Sequence, residues 1–145
     1  QGYSSAASDV YKRQAYSKTV NIEAKTMLSM MKKTFLPSVL SYCKELAETA
    51  AKTKAILPDA PISAESKLLE KLSGLYTEIS EKTEALAEAE KAAESMEDNI
   101  EKVAYFHYTI LAKMDDLRSS VDTAEALIPD SFLPYPTYDE LLFSV

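Results

Sequence analysis

The chain has 145 residues, a formal net charge of −7, and a composition that is 46% hydrophobic and 27% charged, with only two glycines. That scarcity argues against hairpins, dinucleotide-binding turns and phosphate-cradling loops, which lean on glycine, while abundant Ala, Glu, Lys, Leu and Met favour helix. The evenly spread acidity shows no basic face for nucleic acid, no apolar run is long enough to span a bilayer, and the single cysteine, Cys43, fits a reducing compartment.

The expected fold class is therefore all-α. Residues 1–14 are set aside from it, because SDVYKRQ is similar to the translated adaptor remnants found at the ends of fragmentary reads. An ordinary flexible leader is the alternative, and neither reading gives these residues a function.

A first helix is expected over about 15–57. Its apolar stripe runs Val20, Ala24, Met27, Met31, Phe35, Val39 and resumes as Tyr42, Leu46 and Ala50, the steps of a helix with one face toward a core. Pro37 removes one backbone donor, yet the periodicity continues past it, which favours a kink over a break. Pro58 and Pro61 then stop the helix.

Ser63 is a plausible N-cap for a second helix over 63–92. Its apolar positions read Leu68, Leu72, Leu75, Ile79, Leu86, Ala89, Ala93 and Met96, with Lys82 as the polar exception. This is the 4-3-4-3 spacing of a coiled-coil-like seam. The same register runs on through Ile100, Val103, His107, Ile110, Met114, Leu117, Val121, Ala124 and Ile128. One unbroken helix from Ser63 to Ile128 would be about 100 Å long, against about 65 Å for the first. A reversal in ESMEDN, with Asp98 and Asn99 as turn and cap formers, matches the lengths better and gives a third helix over 98–128. The expected architecture is an antiparallel three-helix bundle over 15–128, with one long continuous helix as the rival.

Residues 129–145 are expected to form an extended, proline-rich docking tail. Thr137 and Asp139 suit the start of a last helical turn in YDELLF. Pro134 and Pro136 keep the segment extended, so that Tyr135, Tyr138, Leu141, Leu142 and Phe143 can fill grooves on the bundle or on a larger body. Arg118 and Asp122, four apart, suit a helix-surface ion pair.

No catalytic, cofactor or metal residue is expected. His107 is the only histidine, and Ala104 stands where a Glu-x-x-His di-iron motif needs glutamate. Cys43 and His107 make at most two of the four ligands of a zinc site, so His107 reads as a seam or boundary residue and Cys43 as a small core hydrophobe. The carboxylates Glu78, Glu81, Glu84, Glu88, Glu90, Glu94, Glu97 and Glu101 alternate with lysines and read as a solvated face rather than an acid–base pair. Met27, Met30 and Met31 suit either a core stripe or a plastic interaction surface, and the core reading is favoured.

Three stretches carry a resemblance. YSKTVNIEAKTMLSMMKKTFLPSVLSY, with Tyr16, Ile22, Glu23, Leu36 and Pro37, resembles the opening of the C-terminal helical region of type III glutamine synthetases. YFHYTILAKMDDLRSSVDTAEALI is similar to that family's penultimate helix, through Met114, Arg118, Asp122 and Glu125. LPYPTYDELLF resembles its terminal Trp-Pro-x-Pro-x-Tyr-x-x-x-Leu-Phe signature, with Leu133 in place of the tryptophan. The resemblance covers about residues 16–145. It implies a cytoplasmic parent enzyme that joins ammonia to glutamate with ATP and magnesium, assembled as a homo-oligomer. The parent's catalytic residues would lie upstream, so this piece would be a structural appendage touching its own catalytic domain and neighbouring subunits. A stand-alone helical-bundle interaction module is the alternative.

Overall fold

In the computed structural model, residues 2–133 are described, the side chains of residues 2–5 excepted. The described residues are helical throughout apart from short connections, with no strand among them. The helical segments line up as three rods joined by two tight turns.

The first rod comprises α1 (Gly2–Met30), a π-helical turn (Met31–Phe35) and α2 (Leu36–Ile56). Helix starts well before Ala15, but every side chain from residue 6 to residue 16 is exposed, and burial begins at Ser17 and Val20. The expected stripe is the one that buries: Val20, Ala24, Met31, Phe35 and Val39. The proline neither breaks the rod nor leaves it regular. In the turn before Pro37 the Leu36 N–H donates to the Met31 carbonyl, five residues back instead of four. Widening the helix by one residue absorbs the donor that Pro37 lacks and relieves its ring against the preceding turn. It also slips the register so that adjacent Phe35 and Leu36 both face the core.

The rod ends at Leu57, which leaves helical space (φ −124°, ψ 87°) ahead of Pro58. Lys54 Nζ donates to the Pro58 carbonyl at 3.1 Å and helps close that end.

The second rod is α3 (Ser63–Glu94). The expected cap is corrected here: Ile62 occupies the N-cap position without any side-chain hydrogen bond, and Ser63 is already inside the helix. Leu72, Ile79, Leu86 and Ala93, spaced by sevens, are all fully buried. At the gap in this seam Thr83 turns inward, its hydroxyl satisfied by the Ile79 carbonyl at 2.7 Å.

The chain then reverses over residues 95–99, which excludes one continuous helix. Asn99 ends the reversal in extended conformation, and its Oδ1 accepts from the N–H groups of Glu101 (3.0 Å) and Lys102 (3.2 Å).

The third rod comprises α4 (Ile100–Tyr105), a second π turn (Phe106–Ile110) and α5 (Leu111–Glu125). This turn corrects the expected seam. The Leu111 N–H donates to the Phe106 carbonyl, five residues back, and the added residue rotates Phe106 and Ile110 into the core while His107 turns outward. Ile100, also expected inside, is 67% exposed. Beyond the turn the register holds, with Met114, Leu117, Val121, Ala124 and Ile128 buried. A 3-10 turn (Asp130–Phe132) follows Pro129 where no helix of any kind was expected.

Side-chain pairs across the rods fix their directions. Lys25 meets Glu90 and Glu94, linking the first rod to α3, and Lys82 meets Asp116, linking α3 to α5. Tyr16 lies against His107 and Tyr42 against Phe132, so the first and third rods run in the same direction.

Candidate functional site

The contacts among the rods are built from apolar layers, with polar side chains at a few seams. At one seam Lys25 Nζ reaches Glu94 Oε1 at 3.0 Å and Glu90 Oε1 at 3.5 Å. Glu90 is not on the solvated face the sequence suggested. It directly follows the buried Ala89, and only 10% of its side chain is exposed. Burial pushes its carboxyl above the ordinary glutamate range, and the nearby Glu94 charge adds to this against the pull of Lys25. Glu94 is held below that range by its hydrogen bond to Lys25, and Lys25 is raised by the same bond.

At a second seam Lys82 Nζ donates to Ser120 Oγ at 2.7 Å and to Asp116 Oδ1 at 3.0 Å, while Glu78 lies at 3.2 Å. The hydrogen bond to Asp116 is the main reason its ammonium titrates above the usual lysine range. The residue read as a polar exception in the α3 seam is thus a clamp between α3 and α5.

Arg118 pairs with Asp115 at 3.5 Å, three residues back, where Asp122 was the expected partner. Helical side chains lean toward the N-terminus of their helix, which carries the guanidinium toward residue 115.

The candidate catalytic groups stay apart. Burial raises the Cys43 thiol, the opposite of what a nucleophile needs. His107 is exposed between Tyr16, ring centre 6.0 Å away, and Tyr108 at 4.7 Å. Among the described residues no three His, Cys, Asp or Glu side chains gather as metal ligands would, and no helix is long and apolar enough to cross a membrane.

The methionines divide between the two sequence readings. Met31 is buried, Met27 half-buried, and Met30 remains 42% exposed. They join Met114, Ile22 and Val121 along an open groove between the first and third rods, with Glu23, Arg118 and Asp122 at its edge. Spacing alone could place Met27 and Met31 on one face; it could not show that Met114 on another rod completes the same surface. The tail residues Pro134, Tyr135, Pro136, Tyr138, Leu141, Leu142 and Phe143 lie outside the described residues. Just before them, the Phe132 ring packs on Tyr42 with centres 5.1 Å apart, and Leu133 packs against the core.

The sequence is similar to that of glutamine synthetases. The model of the glutamine synthetase C-terminal domain matches residues 6–54, most of the first rod, beginning inside the segment that sequence reasoning set aside. Over 130 residues, 90% of its length, the chain is 38% identical to a glutamine synthetase of Butyrivibrio fibrisolvens, of which it covers 19%. Over 136 residues, 88% of its length, it is 24% identical to a type-3 glutamine synthetase of Dictyostelium discoideum, of which it covers 18%. The chain thus spans about a fifth of the length of these relatives. No solved structure matches it significantly. With a first rod that matches the family model and a likeness to glutamine synthetases along nearly all of its length, the chain is similar to the C-terminal part of glutamine synthetases.

Proposed function

We propose that this chain is the C-terminal helical domain of a type III glutamine synthetase, a non-catalytic antiparallel three-helix bundle with coiled-coil-like seams that braces the rest of the enzyme. The observation that carries the reading is the 38% identity along 90% of the chain to a relative of which that stretch is only 19%. The name of the Dictyostelium discoideum relative supports type III.

On this reading the whole enzyme is a cytoplasmic homo-oligomer of nitrogen metabolism that forms glutamine from glutamate and ammonia with ATP and magnesium. Those groups bind in the part of the polypeptide beyond this chain. The partners of the domain are its own catalytic domain and neighbouring subunits. Exposed Ile22, Leu40, Ile56, Leu57 and Tyr108 are the apolar residues from which such contacts would be drawn.

Extending the reading frame upstream of Gln1 tests the proposal. An in-frame glutamate–ammonia ligase domain is the expected result. A start codon near Ala15 would overturn it in favour of a stand-alone helical interaction module.

A further inference from the structure

Buried polar groups are ordinarily hydrogen-bonded, yet the seam of α1 on α3 holds two buried oxygens without a partner, Asn21 Oδ1 and Glu90 Oε1. Asn21 stands one turn before Lys25, and Glu90 is the residue that Lys25 reaches across the seam. The Lys25 ammonium comes within 3.5 Å of Glu90 Oε1 without bonding it, while Glu94 Oε1 holds the same ammonium at 3.0 Å. One ammonium thus serves two carboxylates, and only 10% of the Glu90 side chain is exposed.

Fully ionised, the pair would leave an excess negative charge where water hardly reaches, and a carboxyl in that position takes up a proton instead. Protonation also changes what Glu90 can do. An ionised carboxylate only accepts, whereas a protonated one donates, and Glu94 is its acceptor one turn away. The charged groups facing the pair are Lys25 from the first rod and Lys102 from the third. Lys102 acts on Glu94 while bonded to Asp98 at 3.0 Å.

Little else holds α1 down. The side chains of residues 6–16 are all exposed, and within α1 only Ser17, Val20 and Ala24 are buried among the described residues. The element then joins α2 through the π turn at Met31–Phe35, the kind of irregularity at which a long helix bends. A segment with few buried apolar contacts opens before the rest of a fold.

We propose that α1 is a proton-controlled arm, lying on α3 while Glu90 and Glu94 share one proton and swinging out about the π turn when that proton is lost. Opening lets water reach Glu90, so the ionised pair belongs to the open arm and the protonated pair to the closed one. The sign follows from burial, which holds the Glu90 carboxyl above the ordinary glutamate range: docking is favoured at low pH and weakens as pH rises through that folded value. Glu94, held low by Lys25, leaves the shared proton on Glu90. The device lies within this chain and stands apart from the identity of the parent enzyme.

Amide hydrogen exchange on the whole 145-residue chain, corrected for intrinsic rates, tests the arm between pH 5 and pH 9. Protection of Val20–Leu28 should fall several-fold as pH rises, while Leu72–Ile79 in α3 and Leu117–Val121 in α5 keep theirs. Glu90→Gln, neutral and able to donate at every pH, should abolish that dependence and leave the arm protected throughout. Should that variant fail to fold, carboxyl NMR on the unaltered chain gives a second reading: Glu90 should titrate with the same midpoint as the loss of protection. Three results would overturn the proposal. They are arm protection indifferent to pH, a loss shared equally by the two reference segments, and a Glu90 midpoint that does not coincide with opening.

Discussion

Lys82 Nζ stands 2.7 Å from Ser120 Oγ, a contact across α3 and α5 between residues thirty-eight apart in sequence. With Asp116 at 3.0 Å and Glu78 at 3.2 Å, the ammonium has all three donors engaged while its stem crosses an otherwise apolar seam. Replacing it tests how much the seam depends on the clamp. Lys82→Ala should lower stability by about 1 kcal/mol, the usual scale for a partly exposed hydrogen-bonded pair. That is a fall in Tm of about 2–4 °C for a chain of this size. An unchanged Tm would mean that the clamp orients the rods without stabilising them.

Glu90 predicts a pH effect of definite sign. Its carboxyl titrates higher in the folded chain than in the unfolded one. Protonation therefore favours the fold, and that contribution is complete below the ordinary glutamate value and lost as pH rises through the folded value. Glu90→Gln mimics the protonated form at every pH. The variant should melt a few degrees above the parent at pH 7, and the gap should close as pH falls toward 4. Glu94, held low by Lys25, acts in the opposite sense: Glu94→Gln should destabilise at pH 7 and lose its effect in acid. Thermal melts between pH 4 and pH 8 read both signs directly.

Gly74 lies inside α3 with nothing within 4 Å of where a Cβ would stand. Its backbone is ordinary helix, without positive φ. Gly74→Ala should therefore stabilise by roughly 0.5–1 kcal/mol, through lower entropy of the unfolded chain. A loss of stability in urea titration would point to a close approach that the described residues do not contain.

Leu86 is fully buried at the middle of the sevenfold series in α3. Leu86→Ala should cost about 2–5 kcal/mol by removing buried methyls and leaving a cavity. Leu40→Ala, on the same all-helical scaffold but 50% exposed, should stay within about 0.5 kcal/mol. Equal effects in chemical denaturation would contradict the core drawn here.

Most of the rods were legible in the sequence because their signals are local. The stripe Val20, Ala24, Met31, Phe35, Val39 and the series Leu72, Ile79, Leu86, Ala93 repeat at helical intervals, and Pro58 and Asn99 end or begin helices through their own backbone and side-chain chemistry. The family, too, was readable from the order of its stretches. Where local period misled, a backbone insertion or a neighbouring rod was responsible. The π turn at Phe106–Ile110 adds one residue to a helix without adding any mark to the pattern, and so His107 faces outward and Phe106 inward.

Burial of Glu90, the role of Lys82 and the union of Met27, Met30 and Met31 with Met114 could be decided only in three dimensions. Each depends on what another rod presents at that height, and helical periodicity says which face a residue occupies but not what that face meets. The sequence by itself determined the helical class, the stop at Pro58, the start at Asn99 and the likeness to glutamine synthetases; the packing of one rod on the next determined which charges were desolvated and where an apolar surface was left open.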